Sequence, residues 1–159
     1  MSVAFVKEPN EDQVEVLPDR DLGSDPNIVT RRGLSKIDEE IDGLNRRKDA
    51  AREAGDKVAI AHIDRDLRYW LTRRATADVV VPPPSPATAQ FGCRVTIERE
   101  DGREQSFTIV GIDEADPGTG YLSYLSPLAR SLVNKGVGDE IRIGGPKPQS
   151  AEIVAISAG

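Results

Sequence analysis

The sequence is poor in the residues on which several common kinds of functional site depend. Its 159 residues include one cysteine, Cys93, and one histidine, His62. A single cysteine excludes an intramolecular disulfide framework and a cysteine-based metal site, and it suits a reducing compartment. Phe, Trp and Tyr together make up 4% of the chain. A large aromatic-lined pocket is therefore not expected.

Long apolar segments and an excess of positive charge are also missing. No apolar segment approaches the roughly 20 residues of a membrane span, and the N-terminus lacks the basic-then-apolar pattern of a secretion signal. We therefore expect a cytoplasmic protein that has no membrane partner. The net charge of −6 argues against broad binding to a phosphate backbone, which needs clustered Lys and Arg. No sequence-specific DNA binding is predicted.

The first part of the chain is acidic and irregular. Residues 1–30 carry two basic and seven acidic side chains, whereas residues 31–78 carry twelve and ten. Three prolines and the lack of any sustained period predict an extended acidic tail over residues 1–28. Its apolar residues could dock on the rest of the protein; they are Val3, Phe5 and Val6.

The middle of the chain has two series of residues at alternating steps of three and four. Each series defines one helical face, and Gly55-Asp56 between them predicts a glycine-centred turn. Two such faces around a tight turn can bury each other, so residues 29–80 are predicted to form an antiparallel helical hairpin, a short coiled coil. The two series are Leu34, Ile37, Ile41, Leu44, Lys48 and Ala51, then Ile60, Ile63, Leu67, Trp70, Arg74 and Ala77.

A proline-rich segment separates the hairpin from a strand-rich region. Residues 81–90 contain three consecutive prolines, which forbid helix and predict a stiff linker. Beyond it the apolar period becomes two, and Asp101-Gly102 is a strong signal for a hairpin turn. The predicted strands lie near residues 94–98, 105–110, 121–124, 140–143 and 152–156. The chain is thus predicted to be α+β, with a small antiparallel sheet and one helix over residues 91–159.

That one helix has clear start and stop signals. Ser126 can accept a hydrogen bond from an unpaired N–H of the first turn, and Pro127 suits the first helical position. Lys135 suits the negative end of the helix dipole, and Gly136 is predicted to end the helix in the left-handed conformation.

The helix segment also carries a family resemblance. Residues 126–139 read SPLARSLVNKGVGD and residues 109–116 read IVGIDEAD. Together they resemble the C-terminal domain of the bacterial Gre transcript-cleavage and elongation factors. Residues 63–70, IDRDLRYW, resemble the second arm of the GreB branch. The order of hairpin, linker and strand-rich domain is that of the Gre family, so the resemblance implies an FKBP-like C-terminal domain.

The resemblance implies a partner and a docking element. In the Gre family the C-terminal domain docks on RNA polymerase at the rim of the secondary channel, while the hairpin enters the channel. By match, the predicted docking residues are Ser126, Pro127, Leu128, Ala129 and Arg130. The expected form of the protein is a monomer.

The hairpin tip departs from the family pattern. Cleavage-competent relatives carry an acidic tip whose carboxylates hold a second divalent ion and orient a water. Here Ala59 stands where the matching glutamate is expected, and each arm is shorter by roughly two turns, on the order of 10 Å of reach. Glu53 and Asp56 remain as weak metal candidates, and no cofactor is predicted beyond Mg²⁺ shared with the polymerase. The first hypothesis is therefore a non-enzymatic elongation regulator with weak or no stimulation of transcript cleavage.

Three alternatives stay open on the sequence. The chain could be an active Gre-type factor that rescues arrested complexes by transcript cleavage. It could be an FKBP-like peptidyl-prolyl isomerase, although residues 91–159 offer only Phe91, Phe107, Tyr121 and Tyr124 for an aromatic-lined pocket. It could also be an interaction module whose short hairpin binds another partner.

Overall fold

The structure is a computed structural model that describes residues 16–159. The predicted docking of Val3, Phe5 and Val6 lies outside the described residues. The elements in chain order are β1 (Ile28–Val29), α1 (Arg31–Ala54), α2 (Lys57–Thr76), β2 (Asp78–Val79), β3 (Cys93–Arg99), β4 (Glu104–Val110), β5 (Tyr121–Ser123), α3 (Pro127–Leu132), β6 (Glu140–Ile143) and β7 (Gln149–Ala158). Short 3-10 helices lie at Ile112–Glu114 and Pro117–Thr119. Between residues 16 and 159, no helix is long and apolar enough to cross a membrane.

Helices α1 and α2 form the predicted antiparallel hairpin. Thr30 caps α1 by accepting a hydrogen bond from the N–H of Gly33 at 2.9 Å. Gly55, with φ of 65°, ends α1 in the left-handed conformation, which glycine adopts without steric cost. The arms contain 24 and 20 residues, so they are about 36 and 30 Å long. Their apolar seam centres on the buried side chains of Leu44, Ala51, Ile63 and Leu67.

The end of the second arm differs from the predicted seam. The helical period predicts Arg74 in the seam, but its side chain is exposed and forms an ion pair with Asp38. Arg73 is buried instead and faces the C-terminal unit. The reason is that Arg73 pairs with Asp113 of the C-terminal unit, whereas Arg74, one position on, lies beside α1 at Asp38.

A two-stranded parallel pair closes the base of the hairpin. Ile28 of β1 pairs with Asp78 of β2, and Val29 pairs with Val79. Each strand has two residues, too few to show a period in the sequence. The pair ties the start of α1 to the end of α2.

The C-terminal unit contains a five-stranded sheet in the order β5-β4-β3-β7-β6. The fold class is confirmed, and the β3–β4 hairpin turns at Gly102, whose φ is 82°. One pair differs from the predicted antiparallel arrangement, because β5 runs parallel to β4. Residues 111–120 lead the chain back along β4, so that β5 begins with Tyr121 paired to Thr108.

The core of this unit lies between the sheet and α3. Val95, Ile97, Ile109 and Ile153 from the sheet are fully buried together with Leu132 from α3. Burial of such a side chain contributes roughly 1.5–3 kcal/mol relative to exposure. The core therefore fixes the position of α3 on the sheet.

Helix α3 ends earlier than predicted. Its last residue is Leu132, and Asn134, not Gly136, adopts the left-handed conformation with φ of 67°. Asparagine tolerates this conformation better than most residues. The N–H of Asn134 donates to the carbonyl of Ala89 at 2.8 Å, and the N–H of Ala89 donates to the carbonyl of Lys135 at 2.8 Å. Pairing with the proline-rich segment therefore stops the helix.

Candidate functional site

The hairpin tip presents acidic side chains at the far end from the sheet. Asp56 caps α2, its Oδ1 accepting a hydrogen bond from the N–H of Ala59 at 3.0 Å. Glu53 is exposed in the last turn of α1. Val58 is 66% exposed, whereas Ala59 is half-buried against the apolar seam. Position 58 therefore faces solvent at the tip, while position 59 faces the other arm.

The tip as it stands is not a complete metal site. Over residues 16–159, no group of three His, Cys, Asp or Glu side chains is arranged to hold a metal ion. A divalent ion such as Mg²⁺ takes about six oxygen ligands and is usually held by one or two carboxylates plus water and substrate oxygens. Glu53 and Asp56 could supply at most part of such a shell.

The predicted docking residues occupy the start of α3 and differ in exposure. Ser126 Oγ accepts from the N–H of Ala129 at 3.3 Å, which confirms the predicted cap. Pro127 and Arg130 are exposed, and Leu128 is half-buried against the core. Ala129 is 0% exposed, so its methyl group belongs to the core and cannot contact a partner. The surface available for docking is thus formed mainly by Pro127 and Arg130.

One buried acidic residue joins the C-terminal unit to the first arm of the hairpin. The side chain of Glu114 is 3% exposed. It accepts hydrogen bonds from Thr30 Oγ1 at 2.6 Å and from Arg32 Nη1 at 2.9 Å. A Cβ at Gly33 would lie 2.8 Å from Glu114 Oε2. The glycine is therefore needed for the carboxylate to approach the helix start.

A second acidic residue, whose side chain is largely buried, joins the same unit to the other arm. Asp113 Oδ2 accepts from Arg73 Nε at 2.6 Å, and Oδ1 accepts from the Tyr69 hydroxyl at 2.5 Å. The side chains of Arg73 and Asp113 are 5% and 11% exposed. Glu114 thus binds the first arm and Asp113 binds the second arm. Together they fix the hairpin on the sheet-containing unit.

The sequence did not reveal this junction. In the sequence, Asp113 and Glu114 stand out only as part of the family-like segment IVGIDEAD. A signal was available in Gly111 just before them, where a Cβ would lie 2.5 Å from the carbonyl oxygen of Ile28. A glycine beside two acids indicates close backbone approach, but it does not identify the approaching strand.

The Tyr69 contact makes the free energy of unfolding decrease at high pH. Burial of Tyr69, then its hydrogen bond to Asp113 and that carboxylate's charge, raise the pKa of Tyr69 from 10.0 to about 12. Because the folded pKa is the higher one, the stabilisation from this group is complete below pH 10 and is lost as the pH rises towards 12. We expect the free energy of unfolding to fall across this window. Urea titrations of the protein and of Tyr69→Phe between pH 8.5 and 11.5 check this, and an equal fall in both would contradict it.

Comparison with known proteins identifies the family. The sequence model described as "Transcription elongation factor, GreA/GreB, C-term" matches residues 84–158. Transcription elongation factor GreB of Neisseria meningitidis serogroup B is 43% identical over 104 residues, which cover 63% of this chain and 63% of that protein. The chain thus spans less than two thirds of that relative. GreB of Pasteurella multocida is 31% identical over 139 residues, which cover 76% of this chain and 88% of that protein.

A solved structure is similar at a lower level. It is described as the prokaryotic transcription elongation factor GreA/GreB from Nitrosomonas europaea, and it is 21% identical. The match covers 82% of this chain and 98% of that one, with a TM-score of 0.42.

The relatives correct one prediction and confirm another. The prediction of a non-enzymatic protein is contradicted, because the matched relatives are named GreB and the GreA/GreB family is one of transcript-cleavage factors. The resemblance of residues 109–116 and 126–139 to Gre factors is confirmed. The chain belongs to the GreA/GreB family of transcription elongation factors.

Proposed function

We propose that this protein binds RNA polymerase at the rim of the secondary channel, inserts its hairpin into the channel and stimulates transcript cleavage weakly. The observation that carries the proposal is a hairpin that is fixed at its base by Asp113 and Glu114 and presents Asp56 at its far end. Such a hairpin can deliver a carboxylate to a site roughly 30 Å from its base. A polymerase partner also places the protein in the cytoplasm.

The start of α3 suits the docking role. Pro127 and Arg130 are three positions apart and therefore lie on the same face of the helix. Ala129 and Leu132, both 0% exposed, hold the opposite face on the sheet. The docking surface is thus rigid, and the exposed guanidinium of Arg130 favours an acidic region on the partner.

The chemistry assigned to the tip is support of a divalent ion at the polymerase active centre. Asp56 is the acidic residue that caps α2, and the three residues after it are Lys57, Val58 and Ala59. None of these three side chains supplies an oxygen ligand, so Mg²⁺ shared with the polymerase would gain fewer ligands than an acidic tip provides. This supports weak stimulation of cleavage.

A cleavage assay tests the proposal directly. Purified protein added to arrested elongation complexes with Mg²⁺ is expected to shorten the transcript slowly from its 3′ end. Asp56→Asn is expected to remove this activity, because asparagine keeps a cap oxygen for α2 but removes the charge. Cleavage by Asp56→Asn at the rate of the parent protein would overturn the role of the tip.

Competition tests docking separately from chemistry. The parent protein and Asp56→Asn are both expected to displace a cleavage-competent Gre factor from the polymerase. The double variant Pro127→Ala, Arg130→Ala is expected to lose this ability. Arg142→Ala is the matched control, because Arg142 is an exposed arginine on β6 and is not one of the predicted docking residues. Undiminished competition by the double variant would contradict the assignment of α3.

The isomerase alternative gains no support from the positions of the aromatic residues. Phe91, Phe107 and Tyr124 pack against the core of the C-terminal unit. Tyr121 lies under the guanidinium of Arg32, 3.9 Å from its carbon to the ring centroid. The four rings thus do not line one open pocket.

A further inference from the structure

Residues 17–27 lie against the second arm of the hairpin and the C-terminal unit at once. This segment, here called the strap, contains no helix or strand. We infer that the strap is a brace that sets the angle between the hairpin and the docking segment, and that Arg20 and Asn27 are positioning residues for the action of the tip. The functional part of this inference rests on the proposed function, whereas its structural part does not.

The N-terminal part of the strap contacts the exposed surface of α2. The Arg20 guanidinium carbon lies 3.9 Å from the centroid of the Tyr69 ring, and Arg20 Nη1 lies 3.5 Å from Asp66 Oδ1. In return, Arg68 of α2 donates to Asp19 Oδ1 at 2.5 Å and to the carbonyl of Leu17 at 2.9 Å. Interactions therefore run in both directions between the strap and the helix.

The other end of the strap joins α2 to the C-terminal unit. Asn27 Nδ2 donates to the carbonyl of Arg73 at 2.8 Å and to Thr76 Oγ1 at 3.0 Å. The carbonyl of Pro26 accepts from the Tyr124 hydroxyl at 2.6 Å. Tyr124 precedes the docking residue Ser126 by two positions. The strap thus links the docking segment to the last turns of α2.

Tyr69 is the point at which the strap and the buried junction meet. Arg20 covers its ring, and Asp113 accepts its hydroxyl proton in a hydrogen bond. Rotation of α2 relative to the sheet would have to break both contacts. A side chain held on two sides by two different parts of the chain resists such rotation better than either contact alone.

This arrangement separates bracing from binding. Arg20 and Asn27 contact α2, not the exposed surface of Pro127 and Arg130. Loss of the brace should therefore leave the affinity for the polymerase unchanged, but the hairpin tip should occupy a wider range of positions relative to the docking segment. Fewer bound molecules would then place Asp56 at the catalytic centre, and the maximal cleavage rate would fall without a change in affinity.

A distance measurement on the free protein tests the structural part. Cysteines introduced by Val58→Cys at the tip and Val137→Cys after α3 can carry spin labels, because both positions are exposed while Cys93 is buried. We expect one narrow distance distribution in the labelled parent and a broader one after Arg20→Ala or Asn27→Ala. Arg20→Lys should restore the narrow distribution, because lysine also places a cation over the ring. An unchanged distribution in both alanine variants would overturn the inference.

Cleavage kinetics test the functional part. For Arg20→Ala we expect an unchanged half-saturating concentration and a maximal rate lowered about two- to fivefold, the factor to which an exposed cation–π contact converts. Arg20→Lys should recover the rate, and the Arg142→Ala control should not change it. A raised half-saturating concentration at an unchanged maximal rate would overturn the inference, because it would place the strap in the contact surface. If the parent protein neither competes nor cleaves, the proposed function fails, while the distance measurement still decides the brace.

Discussion

Replacing Arg73 with methionine is expected to lower the free energy of unfolding by about 3–5 kcal/mol. The side chains of Arg73 and Asp113 are 5% and 11% exposed, and Arg73 Nε lies 2.6 Å from Asp113 Oδ2. The variant would leave the Asp113 carboxylate buried without its cation. Most of the loss therefore comes from the desolvated charge that remains, not from the attraction that is removed. Urea unfolding followed by circular dichroism measures it.

The neighbouring arginine is a matched control for this prediction. Arg74 forms an ion pair of the same 2.6 Å length with Asp38, but these side chains are 46% and 50% exposed. Arg74→Met is expected to cost under about 1 kcal/mol, because water already screens that pair. Arg73→Met combined with Asp113→Asn should recover much of the loss, since asparagine is neutral and still accepts from Tyr69. Equal losses for Arg73→Met and Arg74→Met would show that the junction does not bury a charge.

Adding a carboxylate to the tip is expected to raise the maximal rate of transcript cleavage by about tenfold or more, which corresponds to about 1.4 kcal/mol of transition-state stabilisation. Val58→Glu should do this best, because position 58 is 66% exposed beside Asp56. Glutamate there also lies in the first turn of α2, where the helix dipole favours negative charge. The gain would come from a second carboxylate for the shared Mg²⁺.

Two further variants test whether the gain needs a negative charge and whether it needs the exposed position 58. Val58→Gln has the same shape without the charge and should leave the rate near that of the parent protein. Ala59→Glu places the acid where the family pattern has it, but the half-buried position 59 faces the seam, so a smaller gain is expected. A large gain for Ala59→Glu with none for Val58→Glu would show that solvent exposure in the free protein does not decide which side chain reaches the metal.

Features governed by neighbouring residues were predictable from the sequence. The turn at Gly55, the turn at Gly102 and the cap at Ser126 depend on backbone conformation and on hydrogen bonds spanning a few positions. The hairpin was predictable because apolar periodicity reports which face of a helix is buried. The family resemblance was also visible in the sequence, because the segments that carry it, IVGIDEAD and SPLARSLVNKGVGD, are each continuous.

Features that depend on distant residues were missed or misplaced. The stop of α3 moved from Gly136 to Asn134 because Ala89, far away in sequence, pairs with the chain there. Arg73, and not Arg74, is buried because Asp113 of the C-terminal unit lies on its side of α2. A helical period alone does not say which partner a face will meet, and the two arginines are adjacent and chemically identical.

Four features follow from the amino-acid sequence without the structure: the α+β class, the hairpin, the capped helix that carries Pro127 and Arg130, and the lack of carboxylates in the three residues after Asp56. These follow from local conformational preference and from the spacing of apolar residues, which act over a few positions. Three features depend on how the chain packs: Asp113 and Glu114 each hold a different arm of the hairpin, Ala129 is unavailable to a partner, and the strap reaches both Tyr69 and Tyr124. Those contacts join residues that are 40 or more positions apart, and their existence depends on how the two units pack.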